Sequence, residues 1–195
     1  MLDIILKNDP LYLYKKYRGL MKTGDMIEWA GDALFPSKMI RWVTKKDVNH
    51  VSTVVLVKEY TKRVMCIEAL DHGPELTTLS NRLKHYKGKV WWRPLSRQTS
   101  TYPSCWISTQ RLNEQISPKI GRYLFETLGK QIDYDYDSIF KQLWKRVIPD
   151  EKQLFCSELH YFALLNAGVI DKLEKAPRPG DDELRQCHPE RYRIR

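Results

Sequence analysis

No stretch of this 195-residue chain approaches the roughly 18 consecutive apolar residues of a membrane-spanning helix. Its opening, MLDIILKNDP, lacks the basic segment and long apolar run of a secretory signal. Both absences point away from a transmembrane or ordinary secreted protein, towards a cytoplasmic or virion- or phage-associated one. Cysteine is sparse: Cys66, Cys105, Cys156 and Cys187 lie far apart and none belongs to a CxxC pair. A chain of this size needs no disulfide staples, so reduced thiols are expected. The missing pair spacing argues against structural zinc, for which Cys187 and His188 form the only adjacent couple. No metal and no other cofactor is expected. An internal repeat, a low-complexity linker and a recognisable nucleic-acid motif are also lacking.

What is present describes a globular chain. Residues of the hydrophobic set make up 42% and aromatics 11%, enough for one domain with a proper core. Lys and Arg number 33 against 24 Asp and Glu, a net charge of +9 that favours an anionic surface as partner without identifying one. The positive residues fall into candidate patches: Lys38, Arg41, Lys45 and Lys46; Lys141, Lys145 and Arg146; and a tail of Arg191, Arg193 and Arg195. A non-catalytic nucleic-acid or anion-binding protein is therefore one reading. Solvated helix faces explain the same residues.

Strand signals dominate the first half and helix signals the second. Apolar spacing among lysines predicts a helix over about the first twenty residues, with a turn at Thr23-Gly24-Asp25 and a short strand from Met26 to Ala30. Pro36 and Ser37 open a helical piece through Val43. The β-branched run from Val48 to Val57 and its match from Arg63 to Leu70 predict an antiparallel hairpin across Lys58 to Lys62. Lys89 to Leu95 reads as a third strand. Ser117-Pro118 marks a helix start, Ile120, Tyr123, Leu124 and Leu128 form its stripe, and Gly129 ends it. Further helices are expected over Ser138 to Val147 and from about Cys156 to Ala167. Together these predict an α+β domain.

Three residues stand out chemically. Cys156 begins a helix, where exposed N–H groups and the helix dipole favour a thiolate, so it is expected to be the most reactive of the four thiols. A buried core-helix cysteine is the bland alternative. A thiol nucleophile needs a base, and His50 stands at the head of the most β-like strand. A third polar group would orient the imidazole, and Glu68 interrupts an otherwise apolar partner strand. Ladder counting about a turn near residue 60 or 61 sets His50 against residues 70 to 72. Glu68 then reaches it only through a bulge or a diagonal approach, and Asp71 is an alternative third member. His160 lies one helical turn after Cys156 and is expected to pack rather than act as base or ligand.

Read in order, Gly24-Asp25-Met26-Ile27, Ser37-x-x-Ile40-Arg41-x-x-Thr44, Asn49-His50-Val51, Ile67-Glu68-Ala69 and Phe155-Cys156-Ser157-Glu158-Leu159 form a series. It resembles the circularly permuted papain-like (NlpC-type) cysteine hydrolases, most closely the YiiX/YebB-like branch, with the lecithin-retinol acyltransferase group as more distant kin. Gly129 with Tyr134-Asp135-Tyr136, and Pro179-Gly180-Asp181, are similar to further segments of that family. The likeness runs from about residue 23 to about 185. It departs from the family at Asn49 and Ser52, and residues 1 to 20 have no counterpart.

The resemblance implies a permuted papain-like fold whose antiparallel sheet packs against the helix starting at Cys156. It implies a domain over 23–195 preceded by an N-terminal helical extension over 1–22, and a Cys156, His50, Glu68 triad. The activity so implied is that of a cysteine peptidase or amidase, a thiol protease-like hydrolase working through a thioester acyl-enzyme. The Cys156 backbone N–H would meet the oxyanion, with Tyr134 or Gln153 as a second donor. The substrate would be a peptide, another amide or a lipid acyl group, and a lipid acyltransferase or lipid amidase with the same triad is the alternative activity.

Overall fold

Alternating β-branched and aromatic residues build a six-stranded sheet in this computed structural model, which describes residues 9–31, 46–57, 63–70, 73–95, 108–130 and 155–195. The strands are β1 (Met26–Gly31), β2 (His50–Leu56), β3 (Val64–Leu70), β4 (Gly73–Thr78), β5 (Gly88–Arg93) and β6 (Tyr192–Arg193). They lie in the order β4-β3-β2-β1-β5-β6, every neighbouring pair antiparallel. Leu56 faces Val64 and Thr53 faces Ile67, the antiparallel register that the ladder count required.

Both faces of the sheet are covered, because successive side chains of a strand point to opposite sides. Met26, Val51, Val55, Ile67 and Ala69 pack on one face against the helices of the second half. Ile27, Trp29, Val54, Cys66, Val90 and Trp92 pack on the other with Tyr14, Met21, Leu79 and Leu83. Every residue of β1 is consequently buried.

Among the described residues the α-helices are α1 (Tyr12–Tyr17), α2 (Leu79–His85), α3 (Thr109–Arg111), α4 (Ser117–Leu128), α5 (Cys156–Asn166) and α6 (Asp182–Gln186). Among the described residues of the N-terminal segment, 9–22, the helix covers Tyr12–Tyr17; residues 1–8 of the expected helix lie outside the described residues, and Tyr14 and Met21 are part of the second core cluster. α4 begins at Ser117-Pro118 as expected, but as the continuation of a longer helical run. The helical run enters at Thr109 and passes through a π-helical turn, Leu112–Ile116, directly into α4. Proline has no N–H to donate and crowds the preceding turn, and the wider π turn accommodates it there.

Two connections matter for the site. Gly24 takes φ +100°, and a side chain there would begin 2.7 Å from Ile120 Cδ1. The buried Asp25 beside it accepts from the Trp92 indole at 2.8 Å, from Leu95 N–H at 3.0 Å and from Lys22 N–H at 2.8 Å. Gly24-Asp25 therefore ties the start of β1 to the end of β5. The segments 36–43 and 138–147, expected to be helical, lie outside the described residues. Among the described residues no helix is long and apolar enough to cross a membrane.

Candidate active site

His50 opens β2 from a lead-in held at three successive positions. Asn49 donates its backbone N–H to Trp29 O at 3.0 Å and its side-chain amide to Gly31 O at 2.7 Å. Val48 is fully buried beneath Gly180, which takes φ +82°; a side chain at 180 would begin 2.8 Å from Val48 Cγ2. Asp47 pairs with Arg185 at 2.8 Å and Arg191 at 2.6 Å. The C-terminal segment thus clamps the approach to His50.

Cys156 is the first residue of α5, and Phe155 before it has extended backbone. The Glu158 side chain reaches back to accept from Phe155 N–H at 3.1 Å, one half of a capping box. Residues 157–164 are all buried, so the helix is enclosed on every side rather than along one stripe. α5 lies over β2 and β3 and brings the half-buried Cys156 side chain near the His50 ring, close enough to act on its protonation.

On its other side the ring binds Glu68. His50 Nε2 lies 2.6 Å from Glu68 Oε2, so Nδ1 is the ring nitrogen that this contact does not use. The contact is diagonal. Thr53 faces Ile67, so Ser52 is Glu68's partner and His50 lies one same-face position beyond it. Asp71 lies outside the described residues, as do Tyr134, Gln153 and Cys105.

The electrostatics follow from burial and charge. Burial alone would depress His50, but a thiolate charge on Cys156, the bond to that sulfur and the Glu68 carboxylate together lift it to about 10. Glu68 has no exposed surface, and burial alone would raise it. The bond and charge of His50 and the charge and bond of Arg82 reverse that and hold it below the usual carboxylate range. The buried Glu68 carboxylate thus favours the protonated imidazole beside it. Cys66 is the opposite case: burial, then the nearby Glu68 charge, push its thiol up to about 12, and its sulfur is 3.2 Å from Thr77 Oγ1.

Sequence reasoning missed Arg82. Its Nε donates to Glu68 Oε1 at 2.9 Å and its Nη2 to Oε2 at 3.3 Å. No signal marked it, because β4 and α2 were themselves not anticipated: Gly-Pro-Glu reads as a turn, although Pro74 is tolerated at the sheet edge where β4 lies. A second missed cluster surrounds the buried Glu28, paired with Arg93 at 2.9 Å, Arg185 at 2.8 Å and Arg191 at 3.0 Å. Arg191 also lies 3.9 Å over the Trp91 ring. It therefore serves the interior, not the free basic tail that the sequence suggests. Lys46 pairs with Asp182 at 3.5 Å, and the other residues of the first two basic patches lie outside the described residues.

His160 packs, as expected. It is fully buried, with Nδ1 2.8 Å from Thr53 Oγ1 and Nε2 2.9 Å from Nε2 of the equally buried His188. Burial drives His160 down to about 3 and, with the neighbouring positive charges, His188 well below its ordinary range. Cys66, Cys156 and Cys187 are free thiols.

No family model matches the chain, and no curated protein matches it. Among solved structures it is similar to the metalloprotein YiiX from Escherichia coli O157:H7. The TM-score is 0.53 and the identity 22%, over 75% of this chain and 66% of that one. The likeness is one of fold: this chain has a YiiX-like α+β fold. It spans just under two thirds of that chain's length. No three His, Cys, Asp or Glu side chains gather as ligands among the described residues, and His160 and His188 spend facing nitrogens on each other.

Proposed function

We propose that the chain is a cysteine hydrolase of the circularly permuted papain-like (NlpC-type) kind, a peptidase or amidase with Cys156 as nucleophile, His50 as base and Glu68 as orienting carboxylate. The observation that carries this reading is the His50 ring 2.6 Å from the buried Glu68 carboxylate, with Cys156 at the start of α5 near enough to act on the same imidazole. The YiiX-like fold and the order of motifs from residue 23 onward add support, with 23–195 as the catalytic domain.

The thiol proton passes to His50 Nδ1, and the sulfur attacks the carbonyl carbon. The N–H groups at the start of α5 face the charge that develops on the oxygen. His50 then protonates the leaving amine as the C–N bond breaks, leaving a thioester. Water, deprotonated by His50, hydrolyses the thioester and regenerates the thiol. Glu68 holds the Nε2–H tautomer and the imidazolium throughout.

The test is capture of the intermediate. The full chain, incubated with a panel of peptide amides and acyl esters, should gain an acyl mass on Cys156, and Cys156→Ala should gain none. Fatty-acyl adducts alone would move the substrate class to lipid. Equal acylation of Cys156→Ala would overturn the proposal.

A further inference from the structure

The Glu68 carboxylate is gripped from two sides. His50 takes Oε2 at 2.6 Å, while Arg82 brings Nε to 2.9 Å from Oε1 and Nη2 to 3.3 Å from Oε2. A two-nitrogen grip fixes the plane of a carboxylate as well as its position. Arg82 is itself packed against aromatic rings. Its guanidinium carbon lies 5.4 Å from the Trp29 ring centre and 6.0 Å from that of Tyr86, two rings that meet edge-to-face at 4.9 Å. The Trp29 indole donates to Ser52 Oγ at 2.9 Å, and buried Leu79 and Leu83 anchor the helix that carries Arg82.

We propose that Arg82 is a positioning residue of the thiol site: it keeps Glu68 ionised and coplanar with the His50 bond, so that Cys156, His50, Glu68 and Arg82 act as one four-membered chain. This rests on the cysteine-hydrolase reading and deepens it. Glu68 is wholly buried, and a buried carboxylate without charged partners takes up a proton. Protonated, it would no longer balance the imidazolium. His50 alone cannot prevent this through a cycle, because it becomes neutral each time it gives its proton to the leaving group. The guanidinium stays charged at every step. The travelling proton moves only among sulfur, His50 Nδ1, the leaving group and water; Glu68 and Arg82 exchange none.

Among the described residues, the titratable groups around Glu68 are His50 on β2, Cys66 on β3, Glu75 opposite it on β4, Arg82 on α2 and Cys156 beyond the imidazole. Arg82 is the one permanent cation in that set.

The experiment is the pH profile of iodoacetamide alkylation at Cys156, followed by mass mapping on the full chain from acid to pH 8.5. Wild type should be nearly flat through neutrality and fall only in acid. Arg82→Gln should stay within about threefold of wild type at pH 8, where Glu68 is ionised anyway, and fall on the order of tenfold below it at pH 5, where Glu68 gains a proton. Arg82→Lys should recover most of that loss, and adding Arg82→Gln to Glu68→Gln should change nothing further. A profile for Arg82→Gln that overlies wild type, or that is lowered equally at every pH, would reduce Arg82 to packing and overturn the proposal. A wild-type rate rising about tenfold per pH unit through pH 8, as for an isolated thiol, would instead overturn the hydrolase reading and Arg82's role with it.

Discussion

His50 and Glu68 bond at 2.6 Å although they are not opposite each other in the ladder. The register that sets Thr53 against Ile67 sets His50 level with Leu70, and the imidazole crosses diagonally to the carboxylate two residues earlier. Ladder counting and the motif resemblance therefore agree, where the sequence alone set them against each other.

That relationship predicts how the candidate carboxylates divide. Cys156→Ala should abolish turnover, and His50→Ala should nearly do so. Glu68→Gln should cost on the order of 10 to 10⁴ in kcat, the range expected for a group that orients rather than reacts. Asp71→Asn should cost little. Steady-state rates of the four variants on one substrate decide the matter, and a crippled Asp71→Asn beside a silent Glu68→Gln would reassign the third member.

Thiol reactivity should be ordered by environment. Cys156 is half-buried against an imidazole held far above its ordinary range, whereas Cys66 is buried with its thiol pushed up to about 12 and Cys187 is 1% exposed. Brief iodoacetamide treatment of the folded chain at pH 7 should modify Cys156 first. His50→Ala should slow it and leave the other sites unchanged.

The buried histidines predict acid sensitivity. Burial lowers His160 to about 3, so below the unfolded value of 6.5 the unfolded chain binds a proton that the folded chain refuses. Stability then falls as pH falls, by about 2 kcal/mol at pH 5 from His160 alone, with His188 acting in the same direction. Urea denaturation at pH 7 and pH 5 measures this, and His160→Gln should flatten the difference. Equal midpoints for wild type at the two pH values would refute it.

Glu28 balances three guanidiniums in the interior, and removing it leaves them facing one another. Glu28→Ala should cost about 3 to 5 kcal/mol in urea unfolding, the usual penalty for breaking a buried pair from one side. Because Arg185 and Arg191 also hold Asp47 in the lead-in to His50, alkylation of Cys156 should slow in the same variant.

Local chemistry decided much of this molecule. The β-branched runs of β2 and β3, the turn at Gly24 and the helix start at Cys156 are set by neighbours within a few residues, so the antiparallel register of β2 and β3 and the helix beginning at Cys156 were legible in the chain. Tertiary structure alone decided the rest. β4 forms because an edge strand tolerates Pro74 and needs pairing on one side only. Arg82 reaches Glu68 only because α2 crosses the face of the sheet opposite α5. His160 meets His188, and Glu28 meets Arg185 and Arg191, across 28, 157 and 163 residues of intervening sequence. Hydrophobic period and turn chemistry act over single elements, whereas the pairing of buried charges depends on which distant segments the closed fold brings together.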